Sequence, residues 1–367
     1  MRLALCFLFC LVGSSASWGQ EPKLVHVLSG HKSSVGIVVF SPDGKLLASS
    51  QDGGEVRLWD VSSGKNLAVL YRELNGVRHH CGSLAFSPDG KLLAGGVEGR
   101  WVVLWDTAKC AKVGIIEASE FHDYSSCLAF QPNGKTLVSQ SRDSDGKLVI
   151  AISDVATLKN TGAIKVNVGR HGDMAFSPDC RFFALGPFFS QFVHRDVMEL
   201  YETATGKKLT TFQGHDHAAL ALTFSPDGKM LAAAVEQSVK LWDVATGKHL
   251  STFAISSPTS TYPGVKGSFG NYVYCIAFSP DSKIITFGNS GEPVVELCDV
   301  TTGKKITALK GNPLDKRDGI DSIAISPDGK MLAAGRSAGS GNWDETIELW
   351  DIGGVNKLNT MSTDTKK

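Results

Sequence analysis

Phe224-Ser225-Pro226-Asp227-Gly228-Lys229, followed twelve residues later by Leu241-Trp242-Asp243, is the stretch whose reading decides the fold. Pro-Asp-Gly presets a tight turn: proline fixes φ at the first corner, and Asp and Gly tolerate the rest. The apolar runs on either side, Ala219 to Phe224 and Lys229 to Val235, read as two strands of a hairpin. A third run, Ser238 to Trp242, ends in Trp-Asp. A second turn, Ala245-Thr246-Gly247-Lys248, leads into His249 to Phe253. The unit is four short strands with no helical periodicity.

The unit recurs. Its turn returns at Phe40 to Gly44, Phe86 to Gly90, Phe130-Gln131-Pro132-Asn133-Gly134, Phe176 to Cys180, Phe278 to Ser282 and Ile325 to Gly329. The third-strand ending keeps pace at Trp59-Asp60, Trp105-Asp106, Ser153-Asp154, Tyr201-Glu202, Cys298-Asp299 and Trp350-Asp351. Successive turn prolines lie 46, 44, 46, 48, 54 and 47 residues apart, giving seven copies. This period, with four strands and a Trp-Asp ending, resembles the WD40 repeat family over nearly the whole chain. The resemblance implies an all-β fold, a seven-bladed β-propeller of four-stranded antiparallel blades. Lys23 to Leu28 resembles a fourth strand that would complete the last blade, because Gly30-His31 follows it as Gly214-His215 follows Lys208 to Phe212. Asn356 to Met361 is the alternative closing strand.

Length alone, 367 residues, suggests two or three domains. The repeats override that count, since one blade cannot bury its own faces. Residues 1–19 read as a signal peptide: Arg2, the apolar run Leu3 to Val12, then small residues. Residues 20–361 form the propeller and 362–367 a C-terminal tail. The expected protein is exported, periplasmic or extracellular, with no membrane insertion. The lack of any Asn-x-Ser/Thr acceptor favours a bacterial source. Lys plus Arg and Asp plus Glu both total 37, so no net positive field is available for nucleic acid. Six cysteines follow residue 20. Cys127 and Cys275 lie three residues before the turn Phe, and Cys298 replaces a Trp, so they read as small buried hydrophobes rather than a disulfide framework.

In the resembled family a His before strand one, a Ser or Thr on strand two, an Asp in the next turn and the Trp are hydrogen-bonded together. The matching residues of the first repeat are His31, Ser49 or Ser50, Asp52 and Trp59, and the tetrad is assigned as His31, Ser50, Asp52 and Trp59. The turns between strands one and two, and between three and four, are constant in length. Insertions fall before strand one and between strands two and three. Alternating strand direction places both variable classes on one face, the candidate binding face. Three features belong to it. His79, His80, His122, His171 and His217 lie five to eight residues before the turn Phe of four consecutive repeats, at the expected channel mouth. Phe188, Phe189 and Phe192 cluster in one loop. Tyr262, Phe269 and Tyr272 punctuate the loop Ser256 to Tyr272. The constant face carries a ring of Lys45, Lys91, Lys135, Arg181, Lys229, Lys283 and Lys330, shared with the acids Asp60, Asp106, Asp154, Glu202, Asp243, Asp299 and Asp351, and this mixed ring is read as solvated structure.

There is no Gly-rich phosphate loop, no Cys-x-x-Cys, no nucleophile elbow and no His-Glu-x-x-His. No catalytic residue, cofactor or metal is assigned. The leading reading is a non-catalytic scaffold that binds a protein or peptide through the variable face. The alternative is an enzyme or small-ligand binder using the His cluster with Glu73, Asp123, Asp173 and Asp216. Neither reading fixes an oligomeric state.

Overall fold

The repeated turn is built from its own side chains. In the first repeat the Ser41 hydroxyl donates to Asp43 (2.7 Å) and accepts the Leu46 N–H (2.9 Å), while Asp43 also accepts the Lys45 N–H (3.1 Å). Hydrogen bonding by Ser41 holds the Asp43 carboxyl below the usual range, and Ser87 does the same for Asp89. Gly44 closes the turn in the left-handed region at φ 72°. Cys180 and Ser282 stand at the equivalent glycine positions and keep positive φ, 56° and 60°, despite their side chains.

The computed structural model describes residues 21–71, 80–97, 101–117, 127–145, 147–168, 172–186, 189–190, 193–194, 197–214, 219–255, 272–289, 294–311, 319–337 and 345–355. Residues 1–20, which include the expected signal peptide at 1–19, and the alternative closing strand at 356–361 lie outside the described residues. Seven four-stranded antiparallel sheets form the blades of a propeller. Blade 1 comprises Val35–Phe40, Leu46–Gln51, Val56–Asp60 and Asn66–Tyr71, from the innermost strand outward. Blades 2 to 6 follow the same order, starting at Cys81–Phe86, Leu128–Phe130, Met174–Phe176, Ala219–Phe224 and Val273–Phe278. Blade 7 takes Gly319–Ile325, Met331–Ser337 and Glu345–Asp351 from the end of the chain. Its outer strand, Lys23–His31, comes from the beginning, with Lys23 opposite Asp351 and His31 opposite Glu345.

The core lies between blades rather than within them. Seven buried apolar clusters each draw on two neighbours: Leu28, Trp59 and Leu349 between blades 7 and 1, Phe212, Leu231 and Trp242 between blades 4 and 5, and so round the ring. The third-strand signature residue points into the preceding blade. Trp242 packs edge-on against Phe212, with ring centroids 6.3 Å apart. Inner strands are stapled in addition: Ser322 Oγ donates to the Val35 carbonyl (2.8 Å) and Cys275 Sγ to the Ile320 carbonyl (3.4 Å).

Both constant turn classes share one end of the blades. The residue after each third-strand acid donates its N–H to the carbonyl beside the Pro-Asp-Gly turn, as Val61 does to Lys45 and Val244 to Lys229. The cysteines described, Cys81, Cys110, Cys127, Cys180, Cys275 and Cys298, are free thiols, and burial pushes Cys81 up to about 12.

Leu28 closes the seam between blades 7 and 1, while Val27 beside it is exposed. Leu28→Ala is expected to lower unfolding free energy by about 2–4 kcal/mol. Val27→Ala should change it by less than about 0.5 kcal/mol. Denaturant melts of the two variants check the contrast.

Candidate functional site

The inner strands open onto the variable face through a repeated β-bulge. Pairing with the second strand skips one residue in five blades: Gly36, Gly82, Leu220, Tyr274 and Asp321. A bulge turns its extra residue out of the ladder and re-aims it. Blades 1 and 2 carry glycine there, whereas blades 5, 6 and 7 carry large or charged side chains. Leu220 is 40% exposed and Tyr274 42%, and Tyr272, at 37%, sits with its ring centroid 6.5 Å from that of Tyr274. Burial, then the charge of Asp321 and the neighbouring Tyr272, hold the Tyr274 phenol above its ordinary value. The result is a one-sided apolar and aromatic patch on adjacent blades, with a carboxylate beside it.

Of the partner-binding residues expected from sequence, Tyr272 lies in this patch. Phe188, Phe192, Tyr262 and Phe269 lie outside the described residues. The backbone of Phe189–Ser190 pairs with Val193–His194, so the blade 4 connection carries a small two-stranded ribbon. Of the expected channel-mouth histidines, His80 is described, its Nε2 3.5 Å from Asp52 Oδ1 with both side chains exposed. His79, His122, His171 and His217 lie outside the described residues, as do Glu73, Asp123 and Asp216. Among the described residues no group of three or more His, Cys, Asp or Glu side chains is arranged to hold a metal. Asp173 accepts the Leu222 N–H across the seam between blades 4 and 5 at 2.7 Å. Burial pushes its carboxyl up to about 6, against the pull of the Leu222 and Met174 amides. That bond occupies Asp173 in joining two blades. Leu220, Tyr274 and Asp321 were not singled out in the sequence. Aligning the position four residues before each turn Phe would have shown Gly36 and Gly82 giving way to Leu220 and Tyr274.

The first-blade tetrad forms with two members corrected. Ser49 Oγ, not Ser50, accepts the Trp59 indole N–H (2.7 Å) and bonds His31 Nε2 (2.7 Å). Gln51 Oε1, not Asp52, takes His31 Nδ1 (3.0 Å) and the Lys32 N–H (2.8 Å). Strand alternation is the reason: Leu47 pairs with Trp59, so Leu47, Ser49 and Gln51 share its side. Ser50 faces blade 2 and donates to the Cys81 carbonyl at 3.3 Å, and Asp52 is exposed. These partners assign a neutral His31, with Nδ1–H donating to Gln51 and the Ser49 hydroxyl donating to Nε2. In blades 2 and 5, whose second strands offer no hydroxyl there, the indole reaches the preceding blade. Trp105 donates to the Leu70 carbonyl (3.1 Å) past Gly95, and Trp242 to the Gln213 carbonyl (2.7 Å) past Ala233.

On the constant face, Lys45, Lys91, Lys229 and Lys330 pair with the turn aspartates at 3.5 to 3.8 Å. All four lysines are well exposed, and such pairs contribute little to stability.

A family model described as WD domain, G-beta repeat matches residues 22–60, 71–106, 206–243 and 303–351. Small ribosomal subunit protein RACK1 of Glycine max is 35% identical over 255 residues, 69% of this chain and 74% of that protein. RACK1 of Brassica napus is 38% identical over 218 residues, 59% of this chain and 63% of that protein. The guanine nucleotide-binding protein subunit beta of Arabidopsis thaliana is 25% identical over 161 residues, 43% of this chain and 39% of that protein. The chain thus spans less than two thirds of the latter two relatives' own length.

Burial lowers the pKa of His31 from 6.5 to about 4, outweighing the opposing hydrogen bond it donates to Gln51. The unfolded chain therefore binds this proton first as pH falls. The His31 contribution is complete above pH 6.5 and is lost between pH 6.5 and about 4. The loss amounts to about 3 kcal/mol. Equilibrium melts across that window should show the decline, and His31→Gln should flatten it. Ser49→Ala should cost about 1–3 kcal/mol, because Trp59 and His31 lose a buried partner.

Proposed function

From the premise that this chain belongs to the WD40 repeat family, we propose that it is a non-catalytic interaction scaffold. It binds a protein or peptide through the face that carries the variable connections. The observation behind this reading is the exposed patch of Leu220, Tyr272 and Tyr274 on adjacent blades. Exposed aromatics grouped on a rigid scaffold suit a partner-binding surface, since buried aromatic anchors dominate interface energies while rim charges contribute little. The lysine–aspartate pairs of the constant face are, by contrast, exposed and charged. The family relationship supports the same class of function, because propellers present connections at fixed positions around a channel. The proposal includes export, on the strength of Arg2 followed by the apolar run Leu3 to Val12.

The test uses affinity capture from the compartment in which the native protein is found, followed by titration of the recovered partner. Changing Tyr272 and Tyr274 together to Ser should weaken binding by at least about tenfold. Their melting temperature should stay within a few degrees of the parent. Lys45→Glu with Lys229→Glu, on the other face, should leave the affinity unchanged. Loss of binding only with the lysine reversals would overturn the face assignment. Sequencing the mature N-terminus checks export: cleavage after Ser17 or Gly19 is expected, and an intact Met1 on the native protein contradicts it.

A further inference from the structure

A cleft of about 520 Å³ opens on the constant face between blades 3 and 4. It lies at the corner where the chain departs most from its own repeat. Six blades place lysine two residues after the turn Asp or Asn, and blade 4 has Arg181. Five blades have glycine before that residue, and blade 4 has Cys180. Blade 4 ends its third strand in Glu202, where the other six end in Asp. The facing turn of blade 3 is Gln131-Pro132-Asn133, where other blades have Ser-Pro-Asp. All of these departures line the cleft, and Ile152 and Ile164 form its half-exposed apolar wall. Neutral drift has no reason to collect at one corner of one seam.

Blade 2 has a partnered hydroxyl at the equivalent place. Thr107 follows the third-strand acid there, and its hydroxyl donates to the carbonyls of Gly90 (2.8 Å) and Lys91 (3.1 Å). Thr203 holds the same place in blade 4. Its residue is 5% exposed, its N–H donates to the Arg181 carbonyl, and its hydroxyl is buried with no partner among the described residues. A buried unpaired hydroxyl is costly, and Thr203 is one of the residues that line the cleft.

The charges select the occupant. The Arg181 guanidinium lies 5.4 Å from the Phe182 ring centroid, which braces a planar fork suited to a carboxylate. Glu202 accepts the Thr205 hydroxyl through Oε2 (2.6 Å), leaving Oε1 for a cationic donor. Asp179, also in the lining, is engaged within its turn by Ser177 Oγ (2.6 Å) and the Arg181 N–H (3.0 Å), and the Arg181 charge acts on its carboxylate as well. A purely anionic ligand meets Glu202 and a purely cationic one meets Arg181, whereas a molecule carrying both charges satisfies each. We propose that this cleft binds a small zwitterion of the amino-acid class. Its carboxylate rests on Arg181, its ammonium group on Glu202, and its aliphatic side chain on Ile152 and Ile164. The volume falls within the roughly 300–1,000 Å³ of small-molecule sites. A second cleft of about 600 Å³, between blades 5 and 6, is the internal control: it is lined by the carboxylates of Asp227 and Asp281 and by no guanidinium.

Calorimetric titration of the full chain with L-leucine, N-acetyl-L-leucine and L-leucinamide tests this. L-Leucine should bind saturably, and each analogue, lacking one charge, at least about tenfold more weakly. Arg181→Lys restores the residue of the other six blades, so it should fold, and it should weaken L-leucine by about tenfold. Thr203→Val should weaken it about fivefold. Ser282→Gly, in the second cleft, should have no effect. Absence of saturable L-leucine binding overturns the proposal. So does either analogue binding as tightly as L-leucine, or binding indifferent to both cleft variants. If Arg181→Lys melts early, the analogue series and Thr203→Val still decide the matter.

Discussion

No blade of this protein can cover its own two faces. Each four-stranded sheet presents apolar side chains on both sides, and each of the seven buried clusters is shared by two neighbours. The structure therefore depends on the ring being closed. A linear stack would leave one face of blade 1 and one of blade 7 in water. The strand Lys23–His31 prevents this by pairing with Glu345–Asp351 and placing Leu28 in the seam against Trp59. His26 adds a small latch, its Nε2 lying 3.1 Å from the Ser62 carbonyl of blade 1. Both ends of the propeller are held by one blade, and no end blade exists to fray.

Closure also explains why the repeats tolerate so much variation. The signature Trp works mainly as an inter-blade wedge, so its indole N–H needs an acceptor but not a particular one. Blade 1 supplies Ser49, blades 2 and 5 supply carbonyls of their predecessors, and blade 7 supplies Glu348. Glu348 is itself paired with the buried Arg336 at 3.0 Å, so the polar group is satisfied by a different route. Tyr201 and Cys298 fill the same wedge position in blades 4 and 6. With the wedge position so permissive, the blades are free to differ at their two ends.

Blade count, strand order and the closing strand were legible in the sequence because turn chemistry and period are local properties. Proline, Asp and Gly specify the corner wherever they occur, and Gly30-His31 marked the closing strand by likeness to Gly214-His215. The tetrad was half legible. His31 and Trp59 were found, but choosing Ser50 and Asp52 followed spacing and overlooked alternation, which puts Ser49 and Gln51 on the indole side. The patch residues escaped for a related reason: the bulge inserts one residue and breaks the period of two, so Leu220, Tyr274 and Asp321 read as ordinary strand positions. The cleft between blades 3 and 4 was visible only as scattered departures. Gln131 and Asn133 lie nearly fifty residues from Cys180 and Arg181 in the chain, and only the packing of adjacent blades brings them to one wall.

The closed ring, not the single blade, is the unit of stability. Native-state hydrogen exchange measures this directly on the second-strand amides of Ala48, Ala233 and Ala333, which lie in blades 1, 5 and 7 and are fully buried. A closed ring predicts one common exchange free energy, equal to that of global unfolding and falling with denaturant at the same slope. Blades 1 or 7 opening at a distinctly lower free energy than blade 5 would contradict it, because the seam made by the N-terminal strand would then be dispensable.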